Sequence, residues 1–232
     1  MDTEDGKRRL HPSVFDSDWY LLTRLRQAIE GMVGAFPEAS RVLDYGCGDQ
    51  PYRPLVEGAG HSYLGCDLPG NPLADISLGP EGGIQAGDGS FDALLSIQVL
   101  EHVEDVGAYL SEAGRVLRKD GLMLLSTHGW WTYHPYPEDY WRWTRAGLEK
   151  VLTDHGFSID REASVMGMLA YSTMLRLQCL KGVLTAPLPR RLVFSPLSLY
   201  SQMAMLLADR VIPGHIKRNN SAVYLFLVRK PS

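Results

Sequence analysis

Apolar residues along the chain follow two kinds of pattern, short strand-like runs and longer stretches with helical spacing. The short runs, typical of strands in a covered parallel sheet, lie at residues 42–43, 61–67, 74–76, 91–97 and 122–126. Helical spacing occurs in residues 14–36, 106–117 and 145–155. Because strands and helices alternate, this order predicts a doubly wound α/β fold with a mostly parallel sheet.

Two further strand patterns follow nearer the C-terminus. Residues 157–165 and 221–229 bring the predicted sheet to seven strands. We therefore expect a single domain over residues 1–232, with a sheet core at 41–165 and 221–230. Thr144 is the expected N-cap of the helix that precedes the sixth strand.

A long insertion separates the last two predicted strands. Residues 166–220 contain two apolar helices, at 169–183 and 198–211. Charged residues, Pro or Gln interrupt both apolar runs, which fall short of the roughly 20 apolar residues of a transmembrane helix. Three roles stay open: a lid over a pocket, a homodimer interface, or a membrane-surface segment that grips a lipid-linked substrate, with Arg190 and Arg191 near the headgroups.

Composition narrows the class of protein. The chain has 27 acidic and 23 basic residues, a formal net charge of -4, which argues against nucleic acid as a partner. Its three cysteines are an odd number and indicate reduced thiols in a cytoplasmic protein rather than a disulfide framework. The first 13 residues begin with an acidic stretch unlike a signal peptide, and we expect them to be loosely packed.

A glycine turn follows the first strand run. The run ends on Asp44, and Gly46 and Gly48 come directly before the predicted start of a helix. This arrangement lets a ligand approach bare backbone at a helix N-terminus. A second acid, Asp67, ends the next strand 23 residues after Asp44 and is placed to accept hydrogen bonds from a ribose diol.

Five segments in register resemble one family. They are residues 42–48, 65–68, 88–96, 99–103 and 113–121. In order and spacing they are similar to the class I S-adenosylmethionine-dependent methyltransferases, in particular the bacterial small-molecule subgroup of type 11. The resemblance implies a Rossmann-like methyltransferase fold whose last two strands pair antiparallel, and S-adenosyl-L-methionine as the cofactor.

The resemblance also implies the residues that hold this cofactor. Its methionine end would meet the turn that follows the first strand, formed by Asp44, Tyr45, Gly46, Cys47 and Gly48. Asp67 and Leu68 would meet the ribose, Asp75 and Ile76 the adenine, and Ile97 and Gln98 the sulfonium side. Gln50 stands where many members have a third glycine.

An aromatic loop supplies the candidate acceptor pocket. Residues 127–143 hold four of the five tryptophans and two histidines. This loop either forms a wall of the pocket or folds into a small core of its own. The candidate general bases are His128, His134 and His102, because an imidazole titrates near neutral pH; Glu101 and His102 could instead simply start the next helix.

The candidate substrate-binding residues belong to the same loop. They are Trp130, Trp131, Tyr133, Asp139, Tyr140 and Arg142. Arg142 would either pair with Asp139 or bind an anionic group of the substrate.

Together these features predict a methyltransferase that acts on a small-molecule acceptor. The favoured acceptor is a hydroxyl of a sugar, a nucleotide- or lipid-linked glycan, or a natural-product intermediate, and the chemistry requires no metal. We expect a cytoplasmic enzyme that could also sit at the inner membrane face. The alternatives are a non-catalytic cofactor- or partner-binding protein and a nicotinamide-dependent oxidoreductase; the absence of a Gly-x-Gly-x-x-Gly sequence argues against the latter.

Overall fold

A computed structural model of the protein describes residues 4–79, 82–183 and 194–231. Its centre is a seven-stranded sheet of order β3-β2-β1-β4-β5-β7-β6. The strands are β1 Arg41–Tyr45, β2 Ser62–Asp67, β3 Ile76–Ser77, β4 Phe91–Ile97, β5 Leu117–His128, β6 Ser158–Gly167 and β7 Ser221–Arg229. β1 to β5 pair parallel, whereas β7 runs antiparallel to both β5 and β6.

Helices cover both faces of the sheet. The described part of the chain contains α1 Glu4–Leu10, α2 Trp19–Val33, α3 Arg53–Gly58, α4 Val106–Val116, α5 Arg145–Asp154, α6 Met168–Val183, α7 Ser195–Val211 and α8 Gly214–Asn219. On one face α2, α3, α6 and α7 pack in one apolar core, and on the other face α4 and α5 pack in a second. The predicted doubly wound fold, with its seven strands and its helices between the last two strands, is confirmed.

The continuous apolar runs reflect burial on both faces. Every residue of β7 except Arg229 is buried, because the strand lies between β5 and β6 and beneath helices. In β4, Ala93, Leu94 and Leu95 are fully buried for the same reason. In a strand with one face exposed to solvent, apolar and polar residues would alternate instead.

Two local predictions are corrected by the structure. The N-terminal segment is a helix rather than loosely packed chain: Leu10 is buried in the core and Arg8 contacts Asp18 at 2.9 Å. β5 begins at Leu117, where α4 ends, and not at residue 122, because Leu117 pairs with Phe91 across a register shift in β4. Both differences arise from tertiary contacts that local sequence does not show.

A buried carboxylate helps to fix the insertion to the domain. Asp209 of α7 accepts hydrogen bonds from the Tyr20 hydroxyl at 3.0 Å and the Gly167 amide at 2.8 Å. Asp209 also forms an ion pair with Lys217, at 2.7 Å. α6 and α7 form where two apolar helices were predicted, while α8 was not predicted.

Two sequence-based expectations concern a membrane role of the insertion. Arg190 and Arg191, which were expected near lipid headgroups, lie outside the described residues. No helix in the described ranges is long and apolar enough to cross a bilayer.

Substitution of Thr144 tests whether its side chain caps the N-terminus of α5. Its hydroxyl accepts the Gly147 amide at 3.0 Å at the start of α5, as expected of an N-cap. Thr144→Ala should lower the free energy of unfolding by about 1 kcal/mol, measured by chemical denaturation. Thr144→Ser keeps the acceptor and serves as the control; an equal loss in both variants would contradict the capping role.

Candidate active site

A cavity of about 1070 Å³ opens at the carboxyl ends of β1, β2, β4 and β5. This is the edge at which open α/β sheets bind ligands. The parallel strands bring distant sequence segments together here: the glycine turn, the acid after β2, the turn after β4 and part of the aromatic loop.

The glycine turn forms one wall of the cavity. Gly46 has φ +88° and Gly48 has φ +50°, conformations that favour glycine. A side chain at Gly46 would also meet Val99, since a Cβ there would lie 2.6 Å from a methyl carbon of Val99. Asp44, Tyr45 and Cys47 line the same wall, so the predicted methionine-binding segment lies at the cavity.

Asp67 is held in a fixed orientation beside this turn. Its carboxylate accepts from the backbone amides of Gly48 at 2.9 Å and Leu68 at 2.8 Å. The Asn71 side-chain amide donates to it at 2.6 Å and also to the Gly48 carbonyl at 2.9 Å. Sequence analysis missed Asn71. The sequence shows only that an amide side chain follows Asp67 by four residues, in a segment rich in turn residues.

Asp44 reaches the cavity wall but is almost fully buried. Tyr63 donates a hydrogen bond to its carboxylate at 2.6 Å. Burial, with the nearby charge of Asp67, raises the pKa of Asp44 to about 7 although the Tyr63 hydrogen bond opposes this shift. A positively charged ligand group above the turn would favour the ionised form.

Asp75 and Ile76 do not lie at the cavity, which corrects their predicted placement beside adenine. The Asp75 carboxylate accepts the Gly65 amide at 2.8 Å and so completes the sheet edge. Their place in the cavity wall is taken by Leu78 and Gly82. Residues 78–87, which follow Asp75 and Ile76, are rich in glycine, and this obscured the alignment with the adenine-binding residues of the family.

Ile97 and Gln98 line the cavity as predicted. Gln98 has φ +58°, and its side-chain amide donates to the Ser126 hydroxyl at 3.0 Å. The strained turn after β4 is therefore tied to β5, from which His128 projects.

The three predicted histidines meet in one cluster at the cavity. The ring of His134 lies 4.8 Å from that of His128 and 5.0 Å from that of His102, measured between centroids. Trp131 stacks on His128 with centroids 4.5 Å apart and an interplanar angle of 1°. Trp131 also stacks on Tyr171 of α6, so the insertion supports this wall of the cavity.

Glu101 distinguishes His128 from the other two histidines. The Glu101 side chain is fully buried, and its Oε1 lies 2.9 Å from Nδ1 of His128. The hydroxyl of Thr127 donates to the other carboxylate oxygen at 2.8 Å. The two atoms meet as a short ion-pair contact, and neither Oε1 nor Nδ1 makes a hydrogen bond of good geometry among the described residues.

The charge state of Glu101 follows from this contact. Burial alone would raise the pKa of Glu101, but the contact with His128 and the hydrogen bonds outweigh burial, and the pKa is lowered. By contrast, burial and then the neighbouring His128 lower the pKa of His134. Sequence analysis left Glu101 as a possible helix start, because a single acid carries no sign of a partner 27 residues away.

The remaining residues of the aromatic loop mostly shape it. Asp139 accepts the His134 amide at 2.9 Å and pairs with Arg142 at 2.6 Å, which places the pKa of Asp139 well below its usual range. Arg142 also donates to the carbonyls of Trp131 and Thr132, at 3.1 and 2.8 Å. Both residues therefore hold the loop and do not line the main cavity.

Only part of the predicted acceptor wall is in place. Trp131 lines the cavity, together with Tyr136 and Pro137, which were not predicted. Three others of the predicted set are exposed and lie outside it, namely Trp130, Tyr133 and Tyr140. Their positions correct the expectation that they form the acceptor wall.

An unpredicted wall comes from the N-terminus. Arg8 and Arg9 of α1 line the cavity with Leu21 and Leu25 of α2. The charge of Arg9 lowers the pKa of Asp44 against the larger effect of burial. α1 therefore brings positive charge toward the end of the cavity where the methionine part of the cofactor is expected.

One grouping could also hold a divalent cation. Glu101, His102 and His134 place potential ligand atoms within 4.8 Å of one another. No motif indicates this grouping, because its residues come from two separate segments of the chain. A cation there would occupy both of these histidines and leave His128 as the imidazole still free to act as a base.

The sheet order, and a cavity lined by acids at the carboxyl ends of β1 and β2, are typical of a Rossmann-like methyltransferase fold. A family model described as "Methyltransferase domain" matches residues 18–162, more than half of the chain. The chain belongs to this methyltransferase family, and the predicted cofactor, S-adenosyl-L-methionine, is confirmed for the family.

Comparison with individual proteins agrees with this family. A ubiquinone biosynthesis O-methyltransferase of Azorhizobium caulinodans is 34% identical over 101 residues, which are 38% of this chain and 40% of that protein. The chain spans about half or less of the length of the curated relatives it matches.

Solved structures match the fold at low identity. A phosphoethanolamine N-methyltransferase of Haemonchus contortus, solved with S-adenosyl-L-methionine, has a TM-score of 0.58 at 17% identity, covering 98% of this chain and 60% of that one. The cyclase SpnF has a TM-score of 0.58 at 17% identity, covering 90% and 82%. These likenesses concern the fold, and the chemistry has to be argued from the site.

Replacing Asp67 tests the cofactor site. Asp67→Ala should weaken binding of S-adenosylhomocysteine at least about tenfold, because two charge-assisted hydrogen bonds to the ribose are lost. Isothermal titration calorimetry measures the affinity. Asp75→Asn keeps an acceptor for Gly65 away from the cavity and should bind as the wild type does; a loss in Asp75→Asn equal to that in Asp67→Ala would contradict the assignment.

The raised pKa of Asp44 predicts proton release on cofactor binding. Near pH 7 this carboxyl is about half protonated in the free protein, and the cationic groups of S-adenosylmethionine should lower its pKa. Binding should then release up to about half a proton, measured by calorimetry in buffers of different ionisation enthalpy. Asp44→Asn should abolish the release; proton uptake in the wild type would contradict the prediction.

Proposed function

We propose that this protein transfers a methyl group from S-adenosylmethionine to a hydroxyl oxygen of a small molecule, with His128 as the general base. The observation that carries this proposal is the buried Glu101–His128 pair at the cavity. A methyl group on a sulfonium leaves readily once the acceptor oxygen is aligned with it, so the protein must orient the acceptor and remove its proton.

The contact of Glu101 fixes which nitrogen of His128 acts. An ionised carboxylate beside Nδ1 favours a proton on that atom, which leaves Nε2 as the acceptor for the substrate proton. When His128 takes up this proton, the imidazolium lies beside the negative charge of Glu101. Glu101 is thus a positioning residue that stabilises the charge formed during the reaction.

The cavity wall favours an acceptor that carries a ring. Trp131 and Tyr136 offer aromatic surface, and apolar side chains of α2 extend the wall. The name of the Azorhizobium relative supports oxygen as the acceptor atom. A sugar hydroxyl, on a nucleotide- or lipid-linked carrier, stays our prediction, with a phenolic hydroxyl as the other ring-bearing choice.

The two alternative functions make different demands on this site. A nicotinamide-dependent oxidoreductase could also use a carboxylate-paired base, and what argues against it is the absence of a Gly-x-Gly-x-x-Gly sequence together with the matched methyltransferase family. A non-catalytic binding protein would need no base at all, and the burial of Glu101 would then bring only the cost of desolvating a charge.

Substitution of the pair tests the proposal. Glu101→Gln and His128→Asn should each lower kcat by at least about 100-fold, because proton removal is slowed, with little change in affinity for S-adenosylhomocysteine. Methylated product is measured by mass spectrometry with a catechol and a nucleotide-linked sugar as acceptors.

His102→Gln serves as the matched control, since it removes a neighbouring imidazole without touching Glu101. We expect it to retain most of kcat, also after treatment with a chelator. Wild-type kcat in Glu101→Gln, or a loss that chelation alone reproduces in the wild type, would contradict His128 as the base.

A further inference from the structure

We propose that α7 docks the protein on the surface of a membrane that contains anionic lipids. The docking surface is the α7 stripe, which consists of Leu199, Tyr200, Met203, Leu207 and Val211. This inference does not depend on the proposed reaction.

The α7 stripe is a continuous apolar surface. Its members are between 42% and 72% exposed. Leu199, Met203, Leu207 and Val211 follow one another at intervals of four residues, so they lie along one side of the helix. Single exposed apolar residues are common on proteins, but a contiguous row marks a surface that meets an apolar partner.

The faces of α7 differ from those of an ordinary surface helix. Its buried face is mixed, because Met205 and Ala208 pack in the apolar core next to three buried polar residues, Ser198, Ser201 and Gln202. The Gln202 side chain donates to the Asp16 carbonyl at 2.8 Å. A surface helix held to a domain by apolar packing normally has its polar side toward water. In α7, large apolar side chains also face outward, so the helix is apolar on two sides.

The positive charge of the insertion indicates an anionic partner for the α7 stripe. Residues 166–220 contain seven Lys and Arg and one acid, Asp209, whereas the rest of the chain has 16 basic and 26 acidic residues. The carboxylate of Asp209 contacts Tyr20, Gly167 and Lys217, so its charge does not offset the exposed arginines of the segment. The strongly positive segment therefore stands out from an acidic protein.

Exposed arginines accompany the stripe. Arg210 lies between Leu207 and Val211, and Arg176 is exposed on α6. Neither is within ion-pair distance of an acid in the part of the chain that the structure describes. Apolar residues flanked by arginines suit the boundary between headgroups and acyl chains of an anionic bilayer. A second copy of the chain would bring the same positive charge against this face.

The proposed docking surface is linked to the cavity. Tyr171 of α6 stacks on Trp131, which lines the cavity, and α6 packs against α7. Docking through α7 would therefore place the bilayer next to the helices that support the acceptor wall. A membrane-bound acceptor could then enter without crossing bulk water.

Vesicle sedimentation tests the proposal. The wild-type protein should bind vesicles of phosphatidylcholine with about one-third phosphatidylglycerol, and binding should fall at high salt and on pure phosphatidylcholine. Met203→Gln/Leu207→Gln should lower the partition coefficient at least about tenfold by removing buried methylene groups. Arg176→Gln/Arg210→Gln should lower it about tenfold on anionic vesicles alone.

Lys119→Gln/Lys150→Gln removes the same charge from exposed positions outside the insertion and should bind as the wild type does. Thermal unfolding confirms that each variant is folded, since the altered side chains are exposed. No binding of the wild type, or binding that the stripe variants leave unchanged, would overturn the proposal. So would light scattering that finds a wild-type dimer which Met203→Gln/Leu207→Gln converts to a monomer.

Discussion

The candidate site depends on a carboxylate that is buried and ionised at the same time. Removing a charge from water is costly, and a buried carboxylate stays ionised only if partners compensate for the lost hydration. For Glu101 these partners are His128 and Thr127, at 2.9 and 2.8 Å. β5 supplies both partners from its carboxyl end, while Glu101 comes from the short helical turn after β4. The parallel pairing of β4 and β5 therefore creates the contact.

The same constraint organises the rest of the cavity. Trp131 lies flat on His128, and the loop that contains Trp131 is held by the Asp139–Arg142 ion pair. On the other side, the glycine turn and the Asp67 carboxylate are fixed to each other by hydrogen bonds. A rigid cofactor side thus faces a rigid base, and such preorganisation is what methyl transfer requires, because alignment contributes most of the catalysis.

The sequence predicted the fold because most of its signals are local. Buried runs, helical spacing and the Thr144 cap each depend on neighbouring residues, and all agree with the structure. The segment at α1 could not be predicted, since its stability depends on burying Leu10 against distant helices. In the site, Asp44, Gly46 and Asp67 follow strand ends, which the topology places at one edge. Asp75 directly precedes the short strand β3 and its carboxylate is used by the sheet, and Glu101 has a partner that only the fold reveals.

A double-mutant cycle on methyl transfer, with Glu101→Gln, His128→Asn and the double variant, tests whether Glu101 and His128 act as a pair. If Glu101 acts only through His128, the double variant should be no slower than His128→Asn, since a positioning residue contributes nothing once its base is gone. If the two losses multiply instead, Glu101 and His128 act independently, and the paired base at the centre of this account is contradicted.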